Sequence, residues 1–303
     1  MPTNSLRSFA VQIIEYMRVL RNFFACFSLS FIFLFASCAS LVGTQLSAED
    51  EAFLYPLDSY LPEKFHWQEI SDEEGTVPGV WRFDFKSKNP KHPLIYHAVK
   101  IELSAEDGAN RGKFTLTSSQ WKRTLEFAAE KKCIVAMNAT PFGRKNLAGI
   151  YKISGKVLSE PVERYAALGF NFDQDGKVLS ACVFESQKDE KLLECDAAFG
   201  GFFVVLKEGK VCTDFVRRYT SRSGAGVSSD GKILYLLLVE GERPWHSIGL
   251  SYPQCGQIFR AMGCTDALEF DGGDSSELCI NGKSVLSYKV RRVQGNSFGF
   301  LYY

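Results

Sequence analysis

The chain has 303 residues, 46% of them hydrophobic, with 35 basic and 35 acidic side chains. That length and apolar content are enough to build one large packed domain. A formal net charge of zero leaves no basic excess to hold nucleic acid and no acidic excess for a solvating tail. The 25 Phe and 12 Tyr residues suit strands first, and sugar-binding surfaces second.

The chain opens on a targeting pattern. Residues 23–37 carry no charge and follow Arg18 and Arg21. The run is shorter than the ~20 residues a spanning helix requires. A basic lead, a short apolar stretch and small residues at its end predict a signal peptide over residues 1–38. Its end, Phe35-Ala36-Ser37-Cys38, is similar to a lipobox, which implies lipidation at Cys38. An ordinary signal peptide with an incidental Cys, or a short anchor, is the competing reading. Met17 precedes a typical leader and is a candidate true start. The expectation is an exported protein, lipid-anchored to the periplasmic or surface face of a bacterial membrane. Stable anchoring takes more than one acyl chain. Of nine Cys, removal of Cys26 and lipidation of Cys38 leave seven, an odd number with no CxxC spacing, so free buried thiols are expected.

Residues 39–64 are polar, acidic and weakly patterned, and read as a tether; the folded domain is expected over 65–303. Alternation predicts strands at 81–85 and 95–103. A helix capped at Thr117 or Ser118 would bury Trp121, Leu125, Phe127 and Ala128. The apolar run 133–137 fits a central strand covered on both faces. Hairpins follow, turning at Ser154-Gly155, at 173–176, at Glu208-Gly209, at 229–231 and at Asn281-Gly282. A second helix spans 251–262, with Ser251 as N-cap and Gly263 beyond its end. Short strands at 267–270 and 298–302 close the chain. The fold class is α+β, one domain with a large, mostly antiparallel or mixed sheet and a few helices.

The chemistry centres on Asp271-Gly272-Gly273-Asp274-Ser275-Ser276, directly after a strand. Two glycines permit close backbone approach, and successive N–H groups with two hydroxyls can form an anion-binding concavity. The same composition also makes an ordinary polar turn. Upstream lie Ser247-Ile248-Gly249, a helix ending at Met262-Gly263, and Ala267-Leu268-Glu269-Phe270. This stretch resembles the phosphodiester glycosidase family, as do Asn138 at the end of an apolar strand, Arg222 to Gly226, Glu240-Gly241, and Arg291 or Arg292 with Val293. The resemblance covers about residues 130–303 and is most specific from Ser247 to Ser276. Three positions depart from the family pattern: Asp274 replaces a small residue, Asn138 lacks a following Gly, and Glu240 replaces Asp.

The resemblance implies a hydrolase that cleaves the sugar–phosphate bond of a glycan phosphodiester, of the N-acetylglucosamine-1-phosphodiester type, at the cell envelope. Such a reaction needs cations on the phosphate and a carboxyl group at the anomeric carbon. Asp271 is the leading catalytic carboxylate and Glu269 the second, two positions away on the same face; Glu240 is a third candidate. Arg222 and Arg291 are expected to clamp the phosphate, with Gly272, Gly273, Ser275 and Ser276 cradling it. Asn138 would hold a sugar hydroxyl or acetamido group. His246 reads as a loop histidine that could shuttle protons. No cofactor is expected, and a divalent cation between Asp271 and Asp274 has no supporting ligand spacing. The expected partners are the glycan or glycan-phosphate substrate and the membrane. Competing functions are a non-catalytic glycan-binding or structural surface lipoprotein, and a phosphomonoesterase.

Overall fold

The computed structural model describes residues 59–71, 75–104, 114–215 and 218–302. The signal peptide, Cys38 and the first part of the tether lie outside these residues. Three antiparallel sheets form the body. The largest has eight strands in the order β1 (Gln68–Ser71), β2 (Thr76–Lys86), β3 (Ile95–Glu102), β14 (Ile233–Val239), β13 (Arg222–Val227), β15 (Asp266–Glu269), β11 (Val204–Lys207) and β12 (Lys210–Val211). A five-stranded sheet runs β17 (Lys283–Ser284), β16 (Leu278–Ile280), β5 (Val135–Asn138), β18 (Gln294–Tyr302) and β4 (Phe114–Lys122). A second runs β7 (Lys156–Ser159), β6 (Tyr151–Ile153), β10 (Ala197–Gly200), β8 (Ala167–Phe172) and β9 (Val178–Phe184). All five turn-punctuated hairpins of the sequence form, as pairs β6–β7, β8–β9, β11–β12, β13–β14 and β16–β17.

Strand alternation assigns side chains to layers. In β14, Leu234, Leu236 and Leu238 enter the main core between the sheets, while Tyr235, Leu237 and Val239 point to the opposite face. That second face is covered by helix α3 (Tyr252–Met262), through Cys255, Ile258 and Phe259, and by the segment around Tyr60, Phe65 and Trp67. Burial on both faces explains why β14 reads as an unbroken apolar run. The same holds for β5, central in its sheet: Val135 and Met137 face the main core, and Ala136 packs against Phe127 and Ala128 of helix α1 (Thr124–Lys131).

Helix α3 forms where the sequence places it. Ser251 is the N-cap, its backbone N–H donating to the Gln254 side chain at 3.0 Å, and Gly263 ends the helix at φ 104°. Phe259 rests on a small-residue strip of β13, because a side chain at Gly226 would collide with Phe259 and Cys264.

Two local expectations are corrected. Helix α1 starts at Thr124, with Arg123 as N-cap, and not at Thr117 or Ser118. Those two residues belong to β4, which pairs with β18 from Phe114↔Tyr302 to Lys122↔Gln294. The long-range partner overrode a local capping pattern. The packed body also reaches back beyond Phe65, since Tyr60 is fully buried and its hydroxyl donates to Gln257 of α3. Strand β10 and the short helix α2 (Glu190–Glu194) had no clear pattern in the sequence. The seven cysteines are free thiols, five of them buried.

Candidate active site

The site lies where β5, β13, β14 and β15 end or begin on one side of the body. The loop after β15 is fixed from two directions. Asp271 N–H donates to the Ala139 carbonyl (2.9 Å), and Asn138 Nδ2 donates to the Asp271 carbonyl (2.7 Å). Gly273 N–H donates to the Ser221 carbonyl (2.9 Å), and Gly273 to Ser275 close a single 3₁₀ turn.

The backbone at Thr220–Ser221 is the hub on which three motif glycines converge. A Cβ at Gly272 would stand 2.9 Å from the Ser221 carbonyl oxygen. A Cβ at Gly241 would run into Ser221 N, and one at Gly249 into the Thr220 carbonyl. Gly249 also holds φ at 92°, a conformation most residues avoid. The glycines of Glu240-Gly241, Ser-Ile-Gly and Asp-Gly-Gly therefore share one physical role: they let three loops pack backbone to backbone around one strand start.

Asp271 is partly buried, and burial pushes its carboxyl up to about 6, although a hydrogen bond from Ser275 and the charge of Arg292 pull it down. Arg292 lines a cleft of about 860 Å³ with Ser221, Gly241, Glu242, Arg243, Asp274, Tyr288, Lys289, Val290 and Arg291. Four of these are cations and two are carboxylates, so the cleft favours an anion. The Arg243 guanidinium lies 3.2 Å from the centre of the Tyr288 ring, and Arg292 lies 4.9 Å from the centre of the Phe142 ring.

Of the expected phosphate clamps, Arg291 lines this cleft and Arg222 does not. Arg222 is buried; its Nε donates to the Leu250 carbonyl (2.9 Å), its Nη2 to the Arg218 carbonyl (2.6 Å), and it stacks on Tyr252. It fastens the start of β13 to the entrance of α3. Asn138 is likewise committed within the protein. Besides its bond to Asp271, its Oδ1 accepts from Ser223 Oγ and from Glu277 N–H, both at 2.9 Å. Both polar atoms of its side chain bond within the protein and the residue is buried, so it positions the loop.

The three carboxylates separate by environment. Glu269 is 1% exposed under α3, and its oxygens make no conventional hydrogen bond. Burial raises it to about 7 against the opposing pull of Arg222 and the Cys255 thiol. Its charged neighbour is Arg222, whereas that of Asp271 is Arg292 of the cleft. Glu240 is fully buried and saturated with partners. It accepts from Ser287 N–H (3.0 Å) and Ser287 Oγ (2.6 Å), and it meets His97 Nε2 at 3.3 Å and His246 Nε2 at 3.0 Å. Burial opposes its ionisation, but the bonds from His97 and Ser287 outweigh that and hold it down at about 2. His97 also meets Asp84 Oδ1 at 2.6 Å; burial disfavours its charged form, yet the two carboxylates raise its pKa. Glu240 is thus a fixed anion tying the loop of Glu242 and Arg243 to the loop of Tyr288 to Arg292. Of the cradle residues, Ser275 bonds Asp271, while Ser276 is buried with an unpartnered hydroxyl. Among the described residues, no three His, Cys, Asp or Glu side chains group as a metal site.

The sequence reading missed Arg243, Lys289, Glu242 and the His97–Glu240–Ser287 network. These residues come from separate strands and loops, with no spacing to connect them. The Gly241 and Gly249 motifs flank Arg243 and were the available pointer to it.

The model of the phosphodiester glycosidase family matches residues 131–300. The chain belongs to the phosphodiester glycosidase family. The family stretch contains Asn138, the Arg222 strand, Glu240, the Asp271 loop and the cationic 288–292 segment, so the features that build the cleft fall within it. No curated protein matches the chain. Among solved structures, the zebrafish N-acetylglucosamine-1-phosphodiester α-N-acetylglucosaminidase catalytic domain, auto-inhibited by its pro-peptide, is similar with a TM-score of 0.57 at 16% identity. That match covers 78% of this chain and 88% of the zebrafish chain. A hypothetical protein from Synechocystis is similar with a TM-score of 0.59 at 13% identity, over 75% of this chain. This chain spans 63% of the Synechocystis protein's length. These likenesses establish a common fold.

Proposed function

We propose that the protein hydrolyses the bond between an anomeric carbon and phosphate in a glycan phosphodiester, of the N-acetylglucosamine-1-phosphodiester type, with Asp271 as the catalytic carboxylate. The supporting observation is that Asp271, a carboxyl tuned to about 6, lies within the electrostatic reach of Arg292, a wall of the cationic cleft. In this reading Arg243, Lys289, Arg291 and Arg292 neutralise the phosphate. Ionised Asp271 accepts a proton from water as its oxygen bonds to the anomeric carbon. The bond from that carbon to the phosphate oxygen breaks, its electron pair leaving with the phosphate, to give a free sugar and a phosphate monoester. A phosphate leaving group is a weak base, so charge neutralisation substitutes for proton donation, and neither Glu269 nor Glu240 is required to touch substrate.

The test is hydrolysis of an α-N-acetylglucosamine-1-phosphate diester by the purified protein and by Asp271→Asn. The expected outcome is free sugar released by the wild type and a drop of about 10²–10⁴-fold in the variant, the usual range for losing a positioned base. Phosphate release from a monoester alone would replace this reading with a phosphomonoesterase. Absence of turnover of either ester by a folded wild type would leave two readings, a different sugar or a glycan-binding protein, which a glycan-binding array separates.

The reaction is proposed to take place at the cell envelope, with the protein held by lipid at Cys38, on the strength of Phe35-Ala36-Ser37-Cys38 after a charged lead and an apolar run. Detergent-phase partitioning of the protein, lost in Cys38→Ser, is the expected result; partitioning unchanged by the substitution would count against lipidation.

A further inference from the structure

Trp245 is 97% exposed, far more than any other large apolar side chain among the described residues. It does not sit on a loose loop. Arg243 N–H donates to the Ser247 carbonyl (3.0 Å) and Ser247 N–H returns the bond to Arg243 (2.8 Å), closing a tight turn with Trp245 at its tip. The turn is anchored at both ends. Arg243 is stacked on Tyr288, and His246 Nε2 reaches Ser287 Oγ (2.8 Å) and the buried Glu240 carboxylate (3.0 Å). An indole held out in water on a mounted turn forgoes the burial that a tryptophan normally gains.

The turn stands beside the cleft. Arg243, two residues earlier, and Tyr288, next to the Ser287 that His246 contacts, both line the cationic cleft. The turn that carries the ring therefore adjoins the cleft on the side of these two loops. Its near neighbours in sequence, Glu242 and Arg243, are hydrogen-bonding groups of both signs. An apolar ring flanked by such groups matches a sugar, whose C–H face packs on an aromatic plane while its hydroxyls take polar partners.

We propose that Trp245 is a stacking platform for a saccharide unit beyond the cleft, so that the substrate is an extended glycan chain and not a single sugar with a small phosphoester group. The proposal deepens the phosphodiester hydrolysis reading and rests on it for the identity of the cleft. The platform itself can be tested without turnover.

Two measurements decide it. The first is titration of the wild type, Trp245→Ala and Trp245→Phe with phosphate-free oligomers of N-acetylglucosamine, glucose and mannose, read by tryptophan fluorescence for the wild type and by calorimetry for all three. Binding of at least one oligomer by the wild type, weakened about fivefold to tenfold in Trp245→Ala and largely kept in Trp245→Phe, is expected for loss of one aromatic face. The second compares N-acetylglucosamine-1-phosphodiesters carrying a methyl or an oligosaccharide group on the far ester. Trp245→Ala should raise KM for the oligosaccharide ester alone, with kcat unchanged. An absence of oligomer binding, an equal effect on both esters, or a fluorescence response to anionic phospholipid vesicles in place of saccharides would overturn the proposal, the last in favour of a membrane contact. If neither ester is cleaved while oligomers bind through Trp245, the hydrolysis reading fails and the platform stands.

Discussion

Asp271 and Glu240 show how two carboxylates with similar sequence surroundings acquire opposite characters. Each precedes a glycine and each ends a strand region. Glu240 gains the Ser287 N–H and hydroxyl and two imidazoles, and it is ionised throughout the physiological range. Asp271 has one serine and a neighbouring arginine against substantial burial, and it titrates near 6. For Asp271 acting as the base, the active form is the ionised one. The value of kcat/KM should then rise with pH and level off above about 6. A profile that falls as pH rises through that value would make Asp271 a proton donor instead. Asn138 and Arg222 show a further effect of context. Both are polar residues at motif positions, and both bond backbone carbonyls from buried positions, so they hold the loops of the site in place.

At the scale of elements, the site depends on three loops crossing Thr220–Ser221 at backbone contact distance. Gly249→Ala places a methyl group against the Thr220 carbonyl and forces a positive φ on alanine. Both effects act together, and the two Thr220–Leu250 backbone bonds would have to lengthen. The expected cost is about 2–4 kcal/mol of stability, typical of overpacking combined with backbone strain, with most activity lost. Denaturant unfolding midpoints measure the first, and an unchanged midpoint would show that the loops yield. Helices contribute differently: α3 covers the outer face of the large sheet, and its start is held to the site by Arg222 through the Leu250 carbonyl. The hairpins were readable because Asn-Gly, Ser-Gly and Glu-Gly pairs take positive φ locally. Helix α1 was misplaced because the cue at Thr117 and Ser118 competes with eight residues of β4 paired to β18.

For the whole molecule, buried ionisable groups set the response to pH. Glu269, raised to about 7, adds stability that is fully present below about 4.5 and is lost as pH rises through about 7. Asp271 acts in the same direction through about 6, and His97, also raised, adds stability that is lost as pH rises and its proton leaves. Glu240 acts oppositely, its contribution being lost only as pH falls toward about 2. The protein should therefore unfold more readily at pH 8 than at pH 5. Glu269→Gln should flatten that slope by roughly 2–4 kcal/mol, the linkage of a shift of this size. Parallel pH–stability curves for wild type and variant would exclude Glu269 as the source.

The sequence by itself determined the fold class, the hairpin turns, helix α3 with both its caps, the family, and the loop on which Asp271 sits, but not the division of the strands into three sheets. Each is encoded locally, in turn-forming pairs, in strand alternation or in one contiguous motif. Tertiary structure alone decided which charged residues meet. Arg243 and Lys289 join Arg291 and Arg292 in one cleft, Arg222 is withdrawn under Tyr252, and Glu269 is buried beside Arg222 and Cys255. The direction of a side chain at a strand end, and the partners that claim it, depend on segments a hundred or more residues away. His97 with Glu240 and Asn138 with Asp271 are such pairs, and no local pattern records them.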